Sequence, residues 1–155
     1  MAQQFLDLRL SQALNSPTAS VPLGTELLLV GDIGLQTVAA ANTPMAATVK
    51  IMLTGTMAYM TEEQRDANVS VAIEKNGGET FGSGILVYSN LLMPGTLGSV
   101  TIFPISVSCA DFPTVAEVNA GQIRYTLFIS SPVPDGEDTS LIGPVAFNGI
   151  AVADS

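Results

Sequence analysis

The sequence predicts an all-β fold, an antiparallel β-sandwich of jelly-roll type with about eight to ten strands. Three observations predict it. Apolar residues alternate with polar ones at a period of two in several runs, as on strands with one buried face. Helical periodicity is nearly absent. The runs are punctuated by Gly, Pro and Asn at spacings that suit short strands joined by turns.

Taken in order, "FLDLRL" reads as a first strand, and "VPLGTELLLV" and "LQTVAAA" as the next two. "ATVKIML" places Val49, Ile51 and Leu53 on one face. "YMTEEQRDAN" has Thr61 in a capping position ahead of Glu62 and Glu63, but it reads better as an acidic loop between strands than as a helix. "NVSVAIEK" alternates Val69, Val71 and Ile73, and "KNGGE" after it is a hairpin turn signal because Asn-Gly tolerates positive φ. "FGSGILVYSN" is the return strand, and "MPGT" is a further turn. In "GSVTIFPISVS" Val100 and Ile102 share one phase while Ile105 and Val107 take the other, so a bulge is expected at Pro104. "GQIRYTLFIS" sets Ile123, Tyr125, Leu127 and Ile129 against Gln122, Arg124 and Thr126. "SPVPDGEDTS" reads as an exposed loop. In the last strand Val145 and Phe147 share a phase and Ile150 and Val152 take the other. Either Gly149 marks a second bulge or both faces of the strand are covered. "GILVYSNLLM" is likewise apolar on both faces, which suggests that an outer face meets a partner or a loop folded over it.

The 155 residues fit one domain, 1–155, large enough to bury a core without staples. Charged residues make up 12%, half the usual ~25%. Part of the surface must then be neutral and polar, or hidden between subunits. With 14 acidic residues against 5 basic ones, scattered as Arg9, Lys50, Arg65, Lys75 and Arg124, there is no basic stripe for nucleic acid. No run is long and apolar enough for a membrane span, and "MAQQFLDLRL" lacks the pattern of a secretory signal. A role reached without such a signal is therefore expected.

Candidate chemistry is sparse. The absence of His removes the common triads and imidazole metal sites. No catalytic residues and no cofactor are assigned, and an enzyme is not expected. Glu62, Glu63 and Asp66 form one acidic cluster. Asp135, Glu137 and Asp138 form another, whose oxygen ligands could hold calcium but which reads first as a solvated loop. Asp32 and Asp111 read as turn residues bonded to nearby backbone. The single Cys109 reads as a small buried hydrophobe.

"VSVAIEKNGGETFGSG" resembles the strand, Lys-Asn-Gly hairpin and strand of the C1q and tumour-necrosis-factor-like jelly rolls. "GQIRYTLFIS" is similar to the long strand near their end, and "FNGIAVAD" to their closing run. The resemblance covers roughly residues 45–153 and looks nearest to bacterial spore-surface (exosporium and coat) members, although no collagen-like Gly-x-y tract is present. It implies a homotrimer in a structural role on a bacterial spore or cell surface, with itself and other surface-layer proteins as partners. The interface candidates are Leu86, Tyr88, Phe128, Ile150 and Val152. Residues 1–20 are either an ordinary first strand or an arm used in assembly. A carbohydrate- or calcium-binding module and a viral or phage-type jelly-roll structural protein are the alternatives.

Overall fold

In the computed structural model, which describes residues 2–132 and 139–155, nine strands follow one another with two short helical turns. The strands are β1 (Gln3–Leu14), β2 (Ser20–Pro22), β3 (Leu28–Gln36), β4 (Lys50–Thr61), β5 (Val69–Lys75), β6 (Ile85–Leu92), β7 (Thr101–Asp111), β8 (Gln122–Ser130) and β9 (Thr139–Asp154). A 3-10 turn spans Pro44–Thr48, and α1 (Val115–Asn119) precedes β8. A five-stranded sheet runs in the order β1-β9-β4-β7, with β2 also on β9, and a four-stranded sheet runs β3-β8-β5-β6. All pairings are antiparallel. The two inner faces enclose one core, with Tyr59, Tyr125, Phe147, Leu53, Leu127 and Ile129 among its fully buried side chains.

β1 pairs along its length with β9 of its own chain, so the N-terminal segment is an ordinary strand of this sheet. Its side chains also close the neighbouring sheet's edge. Asp7 Oδ2 accepts the Gln36 amide of β3 at 2.8 Å, and Ser11 Oγ accepts the Asp32 amide at 3.3 Å. The segment "VPLGTELLLV" is two strands rather than one, because the chain turns between β2 and β3 to change sheets. At that corner Leu23 donates to Thr139 and Ser131 donates to Gly24. "LQTVAAA" is a strand only to Gln36. Beyond it Thr37 turns the chain, its carbonyl accepting Ala40 and Ala41 while its hydroxyl bonds the Val118 carbonyl at 2.8 Å. Residues 62–68 form the acidic loop expected there.

The bulge expected at Pro104 is absent, and so is the one that was one of two alternatives at Gly149. β7 pairs with β4 in unbroken register from Asp111 opposite Ile51 to Thr101 opposite Thr61. Phe103, Ile105, Val107 and Cys109 face inward, and Ile102, Pro104, Ser106 and Ser108 face outward. Pro104 fits because β7 is an edge strand, where a missing N–H on the free side costs no ladder bond. In β9 the alternation also runs through Gly149 without a slip, with Val145, Phe147, Gly149, Ala151 and Ala153 all inward. The apparent change of phase came from size. At this end β9 turns small residues to the core and large ones outward.

Close packing explains the small residues. A Cβ on Gly149 would sit 2.6 Å from Ile33 Cδ1 and 2.9 Å from Leu35 Cδ1. On Gly31 it would sit 2.6 Å from Phe147 Cβ, so the Phe147 ring lies directly on the β3 backbone. Phe147 Cβ is tied to its own backbone and cannot swing away. Gly31→Ala is therefore expected to cost about 1–3 kcal/mol by overpacking, readable as a lower midpoint in denaturant at an unchanged m-value.

Candidate assembly surfaces

The two outer faces of the sandwich differ. On the four-stranded sheet, the β5–β6 connection is longer than a tight hairpin. Asn76 has the expected positive φ of 57°, but the strands resume pairing only at Lys75 opposite Ile85. The intervening segment folds back over the outer face. Glu74, buried on that face, accepts the amides of Gly82 at 2.8 Å and Gly84 at 3.2 Å. Phe81 meets Phe128 edge-on with centroids 5.6 Å apart. Phe128 is 0% exposed, so it is not the surface anchor expected of it. Its outward side is covered by its own chain.

Tyr88 is also corrected. It lies opposite Ile73 on the inward side of β6, half-buried against the core. Leu86 is exposed. The calcium candidates Asp135, Glu137 and Asp138 lie outside the described residues.

Among the described residues, no such loop covers the outer face of the five-stranded sheet. Register places its side chains in rows across the strands. Leu8 of β1 lies opposite Ile150 of β9, which lies opposite Met52 of β4, which lies opposite Ala110 of β7. In the next row Phe5 and Val152 are paired, followed by Lys50. A groove of about 360 Å³ runs here between Met52, Ala110, Phe112, Ile150 and Val152, with Lys50 at its margin. Phe112 is 70% exposed, Phe5 62%, Met52 50% and Leu8 45%, so this is a contiguous apolar surface rather than scattered side chains. Lys50 is turned to Asp154, which accepts from Nζ at 2.8 Å. Of the interface candidates named from sequence, Ile150 and Val152 lie here, half-buried. Phe5, Leu8, Met52 and Phe112 were missed as members of the patch. Phe5 and Leu8 come from β1, Met52 from β4 and Phe112 from the turn after β7, and only strand order and register bring them together. The inverted size pattern of "FNGIAVAD", small residues in and large ones out, was the one signal in the sequence.

Phe112 is held in place through the residue before it. Asp111 was expected to bond local backbone, but it closes a cluster at the end of the sandwich. Lys75 Nζ donates to Asp111 at 3.1 and 3.3 Å and to Glu117 Oε2 at 3.2 Å. The Tyr125 hydroxyl donates to Asp111 Oδ2 at 2.7 Å. Asn76 Nδ2 donates to Glu117 Oε1 at 3.1 Å. Glu117 also completes a capping box with Thr114 at the start of α1. Burial opposes the charge on Lys75, but its bonds to Glu117 and Asp111 outweigh that and raise its pKa. Burial likewise opposes ionisation of Glu117, and Thr114 and Lys75 outweigh it, holding the carboxyl below its ordinary value. Burial, then the bond to Asp111, pushes the Tyr125 phenol up. Cys109 is free and half-buried beside the core, its thiol raised by burial and by Asp111.

A second depression, about 380 Å³, lies on the outer face of the four-stranded sheet between Asp32, Gly34, Asn76, Gly77, Gln122 and Arg124. Arg124 donates to Asp32 at 2.9 and 2.6 Å and to the Gly77 carbonyl at 3.3 Å. Asp32 is thus a strand residue in an ion pair, not a turn residue. Among the described residues, no aromatic side chain lines this depression to serve as a platform for a sugar ring.

No protein-family model and no curated protein matches this sequence. Among solved structures, the chain is similar to the Eiger TNF from S. frugiperda, with 11% identity over 96% of this chain and 94% of that one and a TM-score of 0.54. It also aligns to the structure of the infectious bursal disease virus Gx strain, with 14% identity and a TM-score of 0.48. That match covers 95% of this chain but about a third (32%) of the viral one. The sandwich described above is therefore an antiparallel β-sandwich of jelly-roll type, similar in fold to the Eiger TNF structure over almost the full length of both chains.

Proposed function

We propose that this chain is a non-enzymatic structural subunit that assembles with copies of itself as a homotrimer, in a layer or appendage on a bacterial spore or cell surface. The carrying observation is the apolar outer face of the five-stranded sheet, where Phe5, Leu8, Met52, Ile150 and Val152 meet in register and Phe112 lines the same groove. Here Gly149, Ala151 and Ala153 face the core while Ile150 and Val152 face away. Covering half-exposed side chains of this size is worth on the order of 1 kcal/mol each, enough across the face to offset much of the cost of association. The trimeric state and the spore-surface setting are supported by the resemblance of "VSVAIEKNGGETFGSG" and "FNGIAVAD" to trimeric surface members of the fold. Few Lys and Arg, 5 in all, leave few tryptic cleavage points, which suits a durable outer layer.

Mass in solution tests this. At micromolar concentration the protein is expected to run as three chains, and a strict monomer would overturn the reading. Ile150→Glu places a charge at the centre of the face without touching the core. It should weaken assembly at least 100-fold, since an unpaired carboxylate would have to be desolvated, and leave the fold intact by circular dichroism.

A further inference from the structure

We propose that β6 is a second self-association surface, on which Tyr88–Leu92 pairs antiparallel with the same segment of another copy, about a two-fold axis through Asn90. The two four-stranded sheets would then join edge to edge as one continuous sheet. A sheet edge presents unpaired N–H and C=O groups, and proteins that stay apart guard such edges with charge, proline, bulges or side-chain caps. Among the described residues the other edge strands are guarded, β2 by its length of three residues and by Pro22. β1 carries Asp7 and Arg9 and has two register shifts against β9. β3 has its Gln36 and Asp32 amides capped by Asp7 and Ser11. β7 has Pro104 near its middle. β6 differs. Its register shift leaves Val87 as the extra residue near its start, and from Tyr88 to Leu92 the strand holds no charge and no proline.

The occupant follows from charge. The chain has a net charge of −9, so copies repel wherever acidic residues face each other. From Thr80 to Ala110, a stretch that includes all of β6, there is no Asp, Glu, Lys or Arg. A second copy meets least repulsion there, and its own β6 is an edge with the same unmet bonds. The bulge at Val87 limits straight pairing to Tyr88–Leu92, whose centre is Asn90. That register sets Ser89 opposite Leu91 of the other copy. Both residues point to the outer face, since they lie opposite Ala72 and Ser70 of β5, and both are exposed. The contact is distinct from the apolar face proposed for the trimer and does not depend on it.

The test is a charge cycle on the full chain, read as mass against concentration by light scattering and native mass spectrometry. The unaltered protein is expected to double from its base oligomer as concentration rises. Ser89→Lys with Leu91→Lys sets lysine opposite lysine on both sides of the axis. It should abolish doubling or weaken it at least tenfold, although it reduces the net negative charge. Ser89→Glu with Leu91→Lys sets opposite charges together and should restore doubling. Both positions face solvent, so an unchanged melting curve verifies the fold of each variant. No doubling of the unaltered protein up to millimolar concentration overturns the proposal. So does doubling that survives the lysine pair, or that the opposite-charge pair fails to restore. A base mass other than three chains counts against the trimer alone, and a trimer that never doubles counts against the β6 junction alone.

Discussion

Deleting residues 145–155 is expected to leave a chain with no cooperative unfolding transition. β9 is not a tail. It lies inside the five-stranded sheet, pairing with β1 from Gln3 to Leu14 on one side and with β4 on the other. The deletion removes every β9 residue that pairs with β1, and with them that strand's only ladder partner among the described residues. It also removes the pairs from Lys50 opposite Val152 to Thr56 opposite Ala146. Val145, Phe147, Ala151 and Ala153, all fully buried, leave the core at the same time. Loss of one large core side chain alone costs about 3–5 kcal/mol, against a total stability of roughly 5–15 kcal/mol for a domain. The measurement is a thermal scan with far-ultraviolet circular dichroism. A truncated chain that stays soluble and melts cooperatively would show β9 to be peripheral.

Lys75→Ala is the second large effect. The ammonium is nearly enclosed and is held by two carboxylates. Without it Asp111 and Glu117 face each other across a partly buried space, with only Tyr125, Asn76 and Thr114 still donating. Removing one member of such a cluster typically costs about 3–5 kcal/mol, on the order of 10 °C in melting temperature for a chain of this size. The dependence on pH separates charge from packing. Glu117 is held below its ordinary value, so its contribution is present above the unfolded value of about 4.3 and is lost as pH falls through the folded value. Lys75 is raised, so its contribution is present below about 10.4 and is lost as pH rises through the folded value. The deficit of Lys75→Ala should therefore be full near pH 7 and shrink toward pH 3, as Glu117 takes up its proton and no longer needs the ammonium. Lys75→Met, which keeps the aliphatic stem, should show the same shrinkage. A deficit equal at pH 7 and pH 3 would mean that packing, not charge, carries the effect.

The β-sandwich was legible because its signals are local. Alternation in "NVSVAIEK" and "GQIRYTLFIS" reports a buried face whatever the strand's neighbours are, and Asn76 and Gly95 take the positive φ that their turns require. The errors were of another kind. The bulge expected at Pro104, and the bulge alternative at Gly149, assume that large apolar residues always face the core, whereas β7 and β9 both turn large apolar residues outward. Phe128 was placed on the surface because nothing in its own strand reveals that Phe81, from another segment, covers it. Asp111 was placed in a local turn because Lys75 and Tyr125, its partners, are remote in sequence.

The same division holds for the assembly surface. By itself the sequence determined an all-β chain with little charge, an uncharged stretch from Thr80 to Ala110, and a strand over 145–152 with apolar residues in both phases. Each of these is a property of composition or of period along one segment. Only the tertiary structure decided that Phe5, Leu8, Met52, Phe112, Ile150 and Val152 share one open face, and that β6 is an unguarded edge. Strand order and register are set by contacts distant in sequence, through the mutual packing of Gly31 with Phe147 and of Gly149 with Ile33. One residue of slip would exchange the inner and outer faces of a whole strand, so the close fit at these glycines is what turns Ile150 and Val152 away from the core.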